Sequence, residues 1–300
     1  MPKKLIFNSF VLKIIALVTM TFDHIGYVLG LYYGIENPTL SLLFSIFRFI
    51  GRLSLPLFCF LIVEGVLHTS NLKKYLIRLG IVAAALLVVQ ICFSYIPSLE
   101  QMGFNTAASI NIFIDLLLGA IGVYCLKNEN QKIKLLALIP LLYCITSFIF
   151  DSYEAFNPET KIWIIPFFLR TESGFFGVSL CLGFYLSYIF KNMWFNYQSK
   201  KLNIDYYQYN DTDIERFTIN VFSVIILVVV TSIYFVLYHF VLNEGLLIVD
   251  PSFSIISGAF ILFYNGKRGY NKAWFKYGCY LYYPIHLLII FGIFEIISIL

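Results

Sequence analysis

Nine apolar runs, each of about 18 residues or more, leave this 300-residue chain few ways to fold. They lie near 11–31, 40–67, 76–97, 107–126, 133–151, 174–194, 217–241, 246–264 and 277–299. A segment that crosses lipid finds no water for its amide groups, so it must be a helix or part of a closed barrel. Runs of this length suit helices, since a tilted membrane strand needs only about ten residues. The expected fold is therefore an all-α integral membrane bundle of nine to ten transmembrane helices, formed by one domain over 1–300. The optional tenth element is "IWIIPFFL" at 162–169, too brief to cross alone and interrupted by Pro166. Hydrophobic residues make up 60% of the chain and charged residues 13%, which excludes an ordinary soluble domain.

Charge asymmetry sets the expected orientation. With the N-terminus in the cytoplasm, nine spans put Lys3, Lys4, Lys73, Lys74, Arg78, Lys127, Lys132, Lys134, Lys191, Lys200, Lys201, Arg216, Lys267, Arg268, Lys272 and Lys276 on the cytoplasmic face. Only Lys161 and Arg170 fall outside. The chain is thus expected as a multi-pass protein of the cell membrane, with a longer cytoplasmic loop at 195–216, "FNYQSKKLNIDYYQYNDTDIER". "MPKKLIFNSF" has no short apolar core followed by a small-residue cleavage site, so the first span is expected to be retained. A net charge of +4, without basic blocks interleaved with aromatics, argues against nucleic acid as a partner. Cys59, Cys92, Cys125, Cys144, Cys181 and Cys279 are scattered through apolar runs, and no HExxH pattern occurs, so no disulfide framework or catalytic metal is expected.

The informative residues are those that lipid should reject. "KIIALVTMTFDHIG" at 13–26 places Asp23 and His24 inside the first run, where a central charge costs about 2.5 to 3.5 kcal/mol on insertion scales. Arg48 and Arg52 follow in the second run at i,i+4 spacing, hence on one helix face, with Pro56 a turn later and Glu64 near the cytoplasmic end. Asp115 and His286 lie within later runs. One reading has Asp23, Arg48, Arg52, Glu64 and Asp115 neutralise one another and knit helices together. The other makes them a site where a proton moves, because neutral imidazole is a base near operating pH. On a helix Asp23 points about 100° away from His24, so its expected partner is Arg48 or Arg52.

Taken together, "LKIIALVTMTFDHIG", "FRFIGRLSLPLFCFLIVEGVLHTSNLKKYLIRL" at 47–79 and "YNGKRGYNKAWFKYGCYLYYPIHLLII" at 264–290 resemble the TraX-type membrane N-acetyltransferases. The specific matches are Asp23-His24-Ile25-Gly26, Arg48 with Gly51-Arg52, Pro56-Leu57-Phe58, Glu64-Gly65 with His68-Thr69, the "YNGKRG" turn, and Tyr283-Pro284-Ile285-His286. Gln90 stands where the family tends to carry an acid, Asp115 where it has threonine, and "ESG" at 172–174 where an acidic-Tyr-Gly pattern is usual. The resemblance implies transfer of acetyl from cytoplasmic acetyl-CoA to an amine, best known as the N-terminal amine of a pilin subunit. It also implies distant similarity to lysosomal heparan-glucosaminide acetyltransferase and to bacterial membrane O-acyltransferases, whose first-span histidine is preceded by a basic residue, as His24 is by Lys13.

On this reading His24 is the expected base, and Arg48 and Arg52 stabilise charge on the thioester oxygen. Asp23 anchors the arginines. His286 contacts the pantetheine arm or relays a proton. Lys73, Lys74 and Arg78 on one turn, and Asn265, Lys267 and Arg268 on another, are the candidates for the phosphates of acetyl-CoA. The acceptor is expected to be a membrane-associated or exported peptide or glycan. A secondary transporter, with the buried Asp, His and Arg groups forming a proton or ion pathway, is the competing reading.

Overall fold

The computed structural model describes residues 5–34, 37–94, 111–157, 159–202, 213–242 and 251–299. Its first helix, α1 (Ser9–Tyr33), starts where the Asn8 side chain accepts from the Val11 N–H at 3.0 Å and stops at Gly34, whose φ of 64° ends the regular turn. Asn37 and Pro38 open α2 (Pro38–Gly51), with the Asn37 side chain capping Thr39. The chain then breaks and resumes as α3 (Ser54–His68). Pro56 has no N–H to return to the carbonyl of Arg52, and this releases the helix just after Gly51.

Later helices are α4 (Leu72–Ser94), α5 (Ile112–Lys127), the short α6 (Gln131–Leu135), α7 (Leu138–Phe156), α8 (Phe176–Leu202), α9 (Asp213–Leu242), α10 (Gly258–Leu262) and α11 (Ala273–Ile299). Helices α3, α5 and α8 form the middle of the bundle, around Leu57, Phe60, Val63, Ala120, Val123, Leu180, Cys181 and Phe184. Small residues allow the close approach: a methyl on Gly119 would lie 2.6 Å from the Cys181 sulfur, and one on Gly183 would lie 2.5 Å from Ile226. Around this middle, α1 packs on α2, α3 and α11, while α9 closes on α8. Large apolar side chains such as Ile81, Leu142, Ile149, Val229 and Leu288 face outward, as a surface bathed in lipid requires.

Among the described residues six helices are long and apolar enough to cross a membrane: Ser9–Tyr33, Pro38–His68 taken through its break, Leu72–Ile91, Gln131–Phe156, Asp213–Phe240 and Ala273–Ile297. The expected nine to ten are not reached, for three reasons. Helix α5 has 16 residues and so is about 24 Å long. Helix α8 has the length but carries polar residues through its C-terminal half. Within the expected span at 246–264, the described part is a 3-10 turn, Pro251–Ser257, followed by the five-residue α10: Pro251 has no N–H to give a continuing helix, and the Ser257 hydroxyl donates to the Ser254 carbonyl at 2.7 Å, a local bond that competes with the helical pattern. Residues 243–250 lie outside the described residues. The segment at 162–169 is extended chain with one 3-10 turn, Phe167–Leu169, not a helix. Part of the expected loop at 195–216 is helical, since nothing in "FNYQSKKL" stops α8 before Leu202 and α9 already begins at Asp213; 203–212 are not among the described residues.

Candidate functional site

Helices α1 and α11 bring two histidines together across the whole chain. His24 Nδ1 lies 2.6 Å from His286 Nε2, with the rings stacked at 25° and their centroids 4.8 Å apart. His286 Nδ1 is in turn 2.7 Å from the backbone oxygen of Tyr282. A carbonyl can only accept, so His286 Nδ1 carries a hydrogen. With both rings neutral, His286 Nε2 must then accept from His24 Nδ1–H, and the lone pair of His24 is left on Nε2. Tyr283 stands edge-on to both rings, at 5.7 Å from His24 and 5.6 Å from His286.

Asp23 meets Arg48 at 2.5 Å, the partnership expected from its direction on the helix. The contact is possible because Gly51 has no side chain: a methyl there would sit 2.2 Å from Asp23 Cβ. Arg52 is one turn beyond Arg48, its N–H bonded to the Arg48 carbonyl at 3.2 Å, but it does not share that ion pair. Arg52 Nε and Nη2, Arg48 Nε and Asp23 Oδ1 are buried without a hydrogen-bond partner among the described residues. Polar atoms left this way at membrane depth mark a place prepared for chemistry or for a ligand.

Asp115 and Glu64 do not join this group. Asp115 is fully buried and accepts from the N–H groups of Glu172 (3.0 Å) and Ser173 (3.1 Å) and from the Ser173 hydroxyl. It therefore draws the 170–175 loop into the bundle. Two further ties hold that loop: Thr171 N–H donates to the Ser147 hydroxyl at 3.0 Å, and Arg170 binds Asp151, Glu154 and the carbonyls of Ile162 and Ile165. Arg170, expected on the non-cytoplasmic side, is held inside the protein, only 1% exposed. Its five N–H donors make it a structural clamp. The loop presents Glu172, whose carboxylate accepts from the Tyr283 hydroxyl at 3.4 Å and which is accessible despite its depth. In the sequence Glu172 stands out only as part of the unusual tripeptide at 172–174.

Glu64 belongs to a second buried network. Arg216 Nη2 donates to it at 2.7 Å, and the hydroxyls of Tyr188 and Tyr264 also donate to it. Arg216 further binds Asn220 and Tyr188 and covers the Tyr264 ring at 4.4 Å. Arg216 thus serves the interior, although the charge asymmetry of the sequence counts it among the cytoplasmic-face residues.

A cavity of about 160 Å³ runs between α1, α3, α4, α5 and α11. Leu17, Met20, Leu61, Ile62, Leu79 and Leu116 line its apolar wall; Lys13 and Lys276 stand at one end and Tyr283 toward the other. Arg78 lies by that first end, 6.0 Å from the Tyr75 ring and bonded to Tyr280, and its Nε is buried without a partner among the described residues. Arg268 lies near Lys13, and Lys276 feels the charges of Arg78, Lys13 and Arg268 together.

The other expected basic residues are placed differently. Lys73, Lys74 and Lys267 are exposed and do not line the cavity. Asn265 holds its own turn, donating its N–H to the Phe7 carbonyl at 2.8 Å while its side chain takes the Lys267 N–H at 2.9 Å. Those two donors are committed within the fold. The four convergent cations come from separate helices and turns, so no local stretch of sequence contains them together; Lys13 stands out in the sequence only for its spacing from His24.

The sequence model described as TraX protein matches residues 9–156, which include Asp23, His24, Arg48, Arg52 and Asp115. The chain is 33% identical over 179 residues to a probable fimbrial assembly protein, FimC of serogroup H1, from Dichelobacter nodosus; the match covers 56% of this chain and 70% of that protein. No solved structure matches the chain.

Proposed function

This chain belongs to the TraX family, and from that premise we propose that it is an integral membrane acetyltransferase carrying acetyl from acetyl-CoA to an amine at the membrane. The observation that carries the reading is the junction of two features. An apolar cavity begins among four cations and ends at Tyr283, and the far side of Tyr283 touches a histidine pair whose bonding leaves one imidazole nitrogen free to take a proton.

The arrangement suits acetyl-CoA as a substrate. Lys13, Arg78, Arg268 and Lys276 offer charge to its phosphates, and the wall of Leu17, Met20, Leu61 and Leu79 suits its pantetheine arm. Lys13 and His24 are eleven residues apart on α1, about 16 Å along the helix. The acceptor amine attacks the thioester carbon, His24 Nε2 takes a proton from the attacking nitrogen, and the sulfur leaves as thiolate and receives that proton. Arg48, whose charge acts on His24, is the nearer candidate to stabilise the oxyanion, and Arg52, one turn beyond it, has two nitrogens without a partner among the described residues to offer to the same charge. His286 orients His24 and fixes its tautomer, the work of a positioning residue.

The reading includes the membrane setting: one multi-pass domain, N-terminus in the cytoplasm, with the basic end of the cavity facing the cytosolic pool of acetyl-CoA. The loops at 68–72, 127–131 and 262–273 share the end where α1 starts, as Lys127 on the Leu67 carbonyl, Arg268 on the His68 carbonyl and Ser9 on Tyr264 support. Nine passages follow if α8, the short α5 and the 251–262 segment count as passes within the bundle. The fimbrial role named for the Dichelobacter relative favours an exported pilus subunit as acceptor.

Purified protein in nanodiscs, incubated with labelled acetyl-CoA and a peptide bearing a free N-terminal amine, tests the proposal. Acetyl transfer is expected, and His24→Ala should lower it by about 10² to 10⁴-fold while acetyl-CoA still raises the melting temperature. A wild-type protein that shows neither thermal shift with acetyl-CoA nor transfer overturns the reading and favours a transporter.

A further inference from the structure

An amine in water near neutral pH arrives as an ammonium, with an α-amino pKa of about 7.7 to 8.0. It must lose two protons to become an amide. His24 accounts for one. We propose that Glu172 takes the other: the carboxylate at the tip of the 170–175 loop is the acceptor subsite, and it selects a primary ammonium over a hydroxyl. This inference rests on the acyl-transfer reading above.

The placement supports it at three points. Glu172 is delivered to mid-depth, beside Tyr283, which is ten residues and so about 15 Å into α11. Its backbone is fixed by Asp115, Thr171 and Arg170 in succession, so the carboxylate itself is spared from holding the loop. No lysine or arginine among the described residues comes within 4.0 Å of it, whereas Asp23, Glu64, Asp151, Glu154 and Glu215 each have such a partner. A carboxylate that is accessible, anchored and without a cation at this depth has room for a cationic ligand. The charged and titratable groups around it are Asp115 on α5, Asp23 on α1, Arg48 on α2 and Tyr283 on α11.

The chemistry balances. The ammonium binds Glu172 and gives it one proton, leaving a neutral amine. That nitrogen forms the N–C bond to the thioester carbon as the C–S bond breaks, and His24 Nε2 moves the second proton to the departing thiolate. The products are the acetamide and free thiol, and Glu172 returns its proton to solvent. A hydroxyl acceptor has a single proton to lose, and for it Glu172 has no task.

The test compares wild type with Glu172→Gln and Glu172→Asp in nanodiscs, using acetyl-CoA and two probes: a short peptide with a free N-terminal amine, and the same peptide capped with lactic acid, which carries a hydroxyl instead. Desolvation at this depth and the neighbouring Asp115 push the Glu172 carboxyl up to about 8, the range of the α-amine itself, so wild type and variant should both lose rate toward acid, and the comparison is made at one pH near 8. Glu172→Gln should lower kcat/KM for the amine probe by about 10²-fold or more. Glu172→Asp should restore part of that loss. Slow transfer to the lactoyl probe should be equal in wild type and Glu172→Gln, and the thermal shift with acetyl-CoA should be unchanged. An amine rate unchanged in Glu172→Gln, an equal loss on both probes, or a wild type that prefers the lactoyl peptide overturns the ammonium subsite and leaves the transferase reading intact. Failure of wild type on both probes, with no thermal shift, removes the transferase reading and this inference with it.

Discussion

Two groups of charge lie buried in this bundle, and they are finished to different degrees. Around Glu64 the carboxylate accepts from Arg216, Tyr188 and Tyr264, and all three guanidinium nitrogens of Arg216 have partners. Around Asp23 a single ion pair with Arg48 leaves Asp23 Oδ1, Arg48 Nε and two nitrogens of Arg52 without a partner among the described residues. A closed network holds helices; an incomplete one holds reactivity in reserve at a cost in stability. The contrast separates structural from functional charge in a chain where both sit among apolar residues.

Mutations can break or sharpen that contrast. Arg216→Ala should have the largest effect on folding, about 3 to 5 kcal/mol, because it leaves Glu64 buried without its cation. A thermal or denaturant melt in nanodiscs reads this, and a loss below about 1 kcal/mol would put the pair among surface bridges. Gly51→Ala comes next, at about 1 to 3 kcal/mol, since its methyl meets Asp23 at 2.2 Å and forces α1 and α2 apart. Transfer should fall with it, as Arg48 loses its place. Arg52→Met should be nearly silent or stabilising by up to about 1 kcal/mol, because it removes unsatisfied donors. Its transfer rate should nevertheless fall at least tenfold; a variant that melts early and transfers normally would reverse the assignment of the two groups.

What could be read beforehand followed from local periodicity. Asp23 and His24 differ by about 100° on a helix, and this was enough to send Asp23 toward an arginine and leave His24 for other work. The apolar runs likewise marked most helices. Pairings between distant helices were not legible: Glu64 and Arg216 are 152 positions apart, and nothing in either neighbourhood names the other. Asp115 looked like a counter-charge because a carboxylate in lipid suggests a cation, yet backbone N–H groups of a descending loop satisfy it. The run at 246–264 met the length rule for a span, but its serines and proline favour local turns over a continuous helix.

The chain is stitched to itself near its two extremes. Phe7 pairs with Tyr264, the Ser9 and Phe10 N–H groups donate to the carbonyls of Lys267 and Arg268, and His24 finds His286 across 262 positions. During synthesis the first helix waits for the last, since neither the cationic mouth nor the histidine pair exists until α11 is inserted. The site is thereby a late product of insertion: a polypeptide released before α11 joins α1 carries neither the histidine pair nor Lys276 of the basic mouth.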